Sequence, residues 1–116
     1  MENSEKLKNL QRAQALSDQL RMLEERLQLL EKRRQEIEYA KLELKKMKEK
    51  GEVEAYRFLG ANVLVKKNAD EILSDLEEEN KLIENQVNLI KQQITQGRKA
   101  LESMLKALGY TSKTSE

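Results

Sequence analysis

The chain has 116 residues, of which 37% are charged and only 3% aromatic, with 22 basic against 21 acidic side chains. It contains no cysteine or histidine, which excludes disulfide staples, the usual zinc sites and imidazole acid–base catalysis. The balanced charge offers no basic field to a nucleic acid, and no stretch approaches the ~18 apolar residues of a membrane span. With no apolar leader after Met1, the expectation is a soluble, cytoplasmic chain forming one domain over residues 1–116.

A first helix is predicted over residues 4–50. Asn3 or Ser4 is suited to cap it, and Glu5 in the first turn opposes the helix dipole. Leu16, Leu20, Leu23, Leu27 and Leu30 alternate spacings of four and three. Ile37, Ala40, Leu44 and Met47 resume that stripe beyond Arg33 and Arg34. This is a coiled-coil seam, and a seam has to be buried on another helix. Lys45, Lys46, Lys48 and Lys50 crowd the last turns, where cations suit the negative end of the dipole, and Gly51 is placed for a left-handed stop.

Residues 53–66, VEAYRFLGANVLVK, break the helical period. β-Branched and aromatic residues on both sides of Gly60-Ala61-Asn62 predict a β-hairpin. Its turn is either a two-residue Gly60-Ala61 loop or a three-residue loop that includes Asn62. Such a hairpin folds the chain back, so that the seams meet antiparallel and bring Leu44 near Leu76 and Ile37 near Ile83. Acidic Asp75, Glu77, Glu78 and Glu79 would then lie near Lys41, Lys45, Lys46 and Lys48.

The second helix is predicted over residues 69–108. Asn68 followed by Glu71 imitates a capping box. The seam then runs Leu73, Leu76, Asn80, Ile83, Val87, Ile90, Ile94, Gly97, Leu101, Met104 and Leu108. Asn80 reads as a register-fixing polar contact, and Gly97 as a thin, mobile point. Gly109 is a stop, and residues 109–116 are expected to be a frayed tail.

Nothing in the chain suggests an enzyme or a cofactor. Carboxylates are abundant, but acid–base work needs a pocket that raises one pKa. Glu77-Glu78-Glu79 reads as a solvated face, and Glu31-Lys32-Arg33-Arg34, among acidic neighbours, as ordinary charged helix surface. Two features ask for more. Phe58, Leu59, Val63 and Val65 cannot all be covered by two helix ends, and a lone ribbon with open edges attracts further strands. At the opposite end, Leu7, Leu10 and Leu105 fall off the seam, with Met1 and Tyr110 in the same neighbourhood. These are either scattered surface leucines or an adaptable apolar grip for unfolded polypeptide.

Tyr56-Arg57-Phe58-Leu59-Gly60, then Val63-Leu64-Val65-Lys66, then Glu71-Ile72-Leu73 with Leu76, resembles the beta-type subunits of prefoldin, a family of molecular chaperones. The resemblance covers about residues 53–94, and the outer arms share heptad character alone. Ala61-Asn62 stands where many relatives carry one residue. The resemblance implies a mainly α fold, an antiparallel two-helix coiled-coil hairpin with a central β-hairpin that joins an intersubunit β-barrel. It further implies a hetero-hexamer with an alpha-type subunit and other beta-type copies, and ATP-independent holdase action. In that picture unfolded client proteins are captured at the coiled-coil tips and passed to a group II chaperonin, with no part for nucleic acid or membrane. Carried onto this sequence, Tyr56, Phe58, Leu59, Val63, Leu64 and Val65 are assembly residues. Leu7, Leu10, Leu105 and Leu108 are client-binding residues by position. The alternative is a structural coiled-coil adaptor whose apolar tips dock one folded partner.

Overall fold

The computed structural model describes residues 2–110. It is mainly helical, in the order α1 (Glu2–Glu49), β1 (Glu54–Gly60), β2 (Val63–Asn68) and α2 (Ala69–Ala107), so two long helices flank a central antiparallel β-hairpin. Met1 and most of the expected tail, residues 111–116, lie outside the described residues.

Helix α1 already includes Asn3 and Ser4, so neither is the cap predicted from the sequence. The first turns hold no proline or glycine, and Glu5 opposes the positive end of the dipole. Both helices close with the same hydrogen-bond pattern. The amide of Glu52 donates to the Met47 carbonyl at 2.9 Å and that of Gly51 to Lys48 at 3.0 Å, with Gly51 at φ +84°. In α2 the amide of Tyr110 donates to Leu105 at 2.9 Å and that of Gly109 to Lys106 at 3.0 Å. Each pair satisfies carbonyls that the last turn would leave orphaned, and a left-handed glycine makes it possible. Gly109 and Tyr110 are thus tied to the helix and form no part of a frayed tail.

The chain divides into two compact units, one of Leu30–Gln86 and one of Met1–Leu29 with Val87–Glu116. In the first, Ile37, Leu44, Ala69, Ile72, Leu76 and Ile83 are buried, and Ile37 has no exposed surface at all. Burial of each large side chain contributes about 1.5–3 kcal/mol. Polar contacts set an antiparallel register along this core. Arg33 Nε and Nη2 grip both Glu79 oxygens at 2.6 and 3.0 Å, Asn80 Nδ2 donates to Glu38 at 3.3 Å, Lys41 lies 3.9 Å from Glu77, and Lys48 pairs with Asp70. The Asn80 Oδ1 atom is buried without a hydrogen-bond partner, a cost accepted where a polar seam residue selects one register.

The seam of α2 starts one residue earlier than its spacing suggests. Ile72 is buried and Leu73 only half-buried, because the first turn of α2 sits at the hairpin's base. There the Ala69 amide donates to the Val53 carbonyl at 2.6 Å, and Asn68 Oδ1 accepts from the Asp70 amide at 2.8 Å. Asn68 is therefore a cap, bonded to the second helical amide.

In the other unit, Ala13, Leu20, Val87, Ile90 and Ile94 are buried, and Arg98 Nη2 lies 2.6 Å from the Glu24 carboxylate. Gly97 is where Leu20 packs. A Cβ built on Gly97 would meet Leu20 Cδ2 at 2.6 Å and Cγ at 3.3 Å. The glycine read from the sequence as a mobile point is instead the receiving surface for a buried leucine.

Candidate functional site

The hairpin is built so that its two faces differ in chemistry. Cross-strand partners are Ala55 with Lys67, Tyr56 with Lys66, Arg57 with Val65, and Phe58 with Leu64. Because side chains alternate along a strand, Ala55, Arg57, Val65 and Lys67 share one half-buried face. Tyr56, Phe58, Leu64 and Lys66 share the other, exposed face. Tyr56, Phe58 and Leu64 are 67%, 64% and 61% exposed.

The turn exaggerates this exposure. Gly60 pairs with Val63, and the register shifts between Phe58 and Gly60, so Leu59 is an extra residue in a bulge. Leu59 and Val63 are both exposed beside it. The loop is Ala61-Asn62, with φ of +48° and +61°, the signs a type I′ turn requires at both central positions. Neither turn expected from the sequence is the one formed. The bulge absorbs Leu59, which moves the two-residue loop one position later.

The half-buried face is electrostatic. Arg57 Nη1 and Lys67 Nζ each lie 3.0 Å from Asp75 Oδ2 on α2, and Arg57 Nη2 lies 3.7 Å from Glu79 Oε1. Lys67 donates a hydrogen bond that holds the Asp75 carboxyl below its ordinary range, and Arg57 adds to the effect. The bidentate contact from Arg33 likewise lowers Glu79 and raises Arg33 itself. Glu79 is thus an ion-paired, half-buried group rather than part of a freely solvated face, and Asp75 faces the hairpin rather than the lysines of α1. On the exposed face, Lys66 Nζ sits 2.8 Å from Glu54, whose hydrogen bond raises the lysine.

Among the residues assigned to assembly from the sequence, Tyr56, Phe58 and Leu64 therefore share the outer face, with Leu59 and Val63 exposed at its turn. Val65 falls on the other face, opposite Arg57, and is half-buried. A cleft of about 430 Å³ runs beside the hairpin, lined by Tyr39, Leu44, Met47, Tyr56, Phe58 and Ile72 among others.

Of the residues assigned to client binding, Leu7 and Leu10 are 58% and 42% exposed on α1. Leu105 and Leu108 are half-buried at the end of α2, and Tyr110 just beyond them is exposed. Among the described residues no group of three or more acidic side chains is arranged to hold a metal ion, and no helix is long and apolar enough to cross a membrane.

The model of the prefoldin subunit family matches residues 7–109. A similar solved structure is the crystal structure of the prefoldin beta subunit from Thermococcus strain KS-1. It is 22% identical, with 84% of this chain and 89% of that chain covered and a TM-score of 0.43. Among curated proteins no relative matches. With the family match running through both helices and the hairpin, the chain belongs to the prefoldin subunit family, a family of molecular chaperones.

Proposed function

We propose that the chain is a beta-type prefoldin subunit and acts, in a cytoplasmic hetero-hexamer with alpha-type subunits, as an ATP-independent holdase. The observation that carries this reading is the two-faced hairpin. Its charged face is committed to α2, and its apolar face, Tyr56, Phe58 and Leu64 with Leu59 and Val63 beside it, is open. A two-stranded ribbon with such a face is marginal by itself and is completed when strands from other subunits close its edges and cover its side chains. The single hairpin supports the beta type.

Client capture is assigned to Leu7, Leu10, Leu105 and Leu108. Leucine at helix ends, exposed at Leu7 and Leu10 and half-buried at Leu105 and Leu108, adapts to irregular apolar segments, and several weak sites held in one assembly raise the effective concentration of each. Transfer to a group II chaperonin then needs no nucleotide on this subunit, since a partner that competes for the client suffices. The test is suppression of aggregation of a chemically unfolded, unrelated protein by the assembled complex at stoichiometric ratio. The holdase reading predicts suppression that falls when Leu7 and Leu10 are changed to Glu. Absence of suppression by the wild-type assembly would identify an adaptor for one folded partner.

A further inference from the structure

Five side chains from all four elements form one continuous ion-pair chain in the Leu30–Gln86 unit. Arg33 of α1 binds Glu79 of α2 at 2.6 Å, Glu79 reaches Arg57 of β1 at 3.7 Å, Arg57 binds Asp75 of α2 at 3.0 Å, and Asp75 binds Lys67 of β2 at 3.0 Å. The pairs involving the hairpin are neither dry nor loose, with Arg57, Lys67, Asp75 and Glu79 side chains all 27–34% exposed. The hairpin is also tied at its base, where Val53 accepts from Ala69. A base contact fixes where the ribbon starts but leaves its tilt about that point free. Ala55 and Val65 are the apolar residues its inner face offers to hold that tilt, and both are small.

We propose that Asp75 and Glu79 are positioning residues for subunit assembly. By seating Arg57 and Lys67 on α2 they set the tilt of the hairpin, and so aim Tyr56, Phe58 and Leu64 at the hairpins of neighbouring subunits. This rests on the assembly role proposed above. Its particular consequence is that an apolar joint is controlled by charges on its far side. Salt should therefore act in two opposed ways on assembly, screening the ion-pair chain while favouring the apolar contact itself.

The experiment compares the wild-type chain, the Asp75→Asn, Glu79→Gln double variant and Phe58→Glu. Helicity is measured for each, and the affinity for an alpha-type prefoldin subunit is measured at about 0.05 M and 0.5 M salt. The double variant should keep wild-type helicity yet assemble about tenfold more weakly at low salt. Raising the salt should narrow its gap from wild type, because screening has no ion-pair chain left to weaken in the variant. Should the double variant lose helicity, the single Asp75→Asn change, which leaves Arg33 and Glu79 joined between the helices, is read in the same way. Wild-type affinity and salt response in the Asn/Gln variant, with Phe58→Glu failing to assemble, would overturn the positioning role alone. If Phe58→Glu assembles normally, the hairpin is not the joint, and both proposals fall.

Discussion

Arg57 Nη1 lies 3.0 Å from Asp75 Oδ2, on the face of the β-hairpin that is turned to the helix. With Arg57 turned inward, its strand neighbours Tyr56 and Phe58 must point outward. An ion pair of modest exposure thereby leaves an aromatic patch uncovered in the isolated chain. Within the isolated chain the patch stays exposed, and joining neighbouring subunits is the use proposed for it above.

The same carboxylates predict the response to acid. Lys67 and Arg57 lower Asp75, and Arg33 lowers Glu79. A carboxyl with a depressed folded-state pKa contributes stability that is complete above its unfolded value and is lost as pH falls through the folded one. The wild-type chain therefore loses stability as pH drops below about 4.5. The Asp75→Asn, Glu79→Gln variant loses less over the same interval. Thermal melts at about pH 6 and pH 3 check this, and equal losses in the two proteins would contradict it.

The turn carries strain that can be relieved. Ala61 sits at φ +48°, a conformation costing an ordinary L-residue roughly 1–2 kcal/mol. Replacing Ala61-Asn62 by Asn-Gly, the pair that best suits two positive φ angles, should raise stability by about 1 kcal/mol. It should do so without altering the outer face. Denaturant unfolding measures the gain, and a loss of stability would show that the loop is not the type I′ turn described.

Gly97 and Leu20 should behave as a coupled pair. Alanine at a helix-interior glycine normally gains about 1 kcal/mol, but here the new methyl would press on Leu20, which is only 6% exposed. Gly97→Ala should therefore give little net gain in the wild-type chain. In a Leu20→Ala background, where the obstruction is gone, it should recover the full gain of about 1 kcal/mol. Additive effects in this double-mutant cycle would mean that the two residues do not touch.

Much of the fold was legible because it rests on spacing. Leu44, Leu76, Ile37 and Ile83 recur at heptad intervals, Gly51 stands where only a left-handed stop fits, and VEAYRFLGANVLVK breaks the helical period. What escaped depends on contacts between elements. Alternation around Tyr56 and Phe58 does put Arg57 on the opposite face. That Asp75 and Glu79 wait there, rather than opposite Lys45 and Lys46, is a contact between the hairpin and α2 that no spacing encodes. The Leu59 bulge likewise displaced the turn, because Gly60 tolerates either placement. Gly97 was misread because propensity prices a glycine without its neighbour, and Leu20 lies far away in sequence.

The central claim is that the outer hairpin face joins subunits, and native mass measurement of the chain mixed with an alpha-type prefoldin subunit tests it most directly. The wild-type chain should give a hetero-hexamer, and a Phe58→Glu, Leu64→Glu variant should give monomers with unchanged helicity. A hexamer that survives both charges, or a wild-type chain that remains monomeric beside its partner, would contradict it.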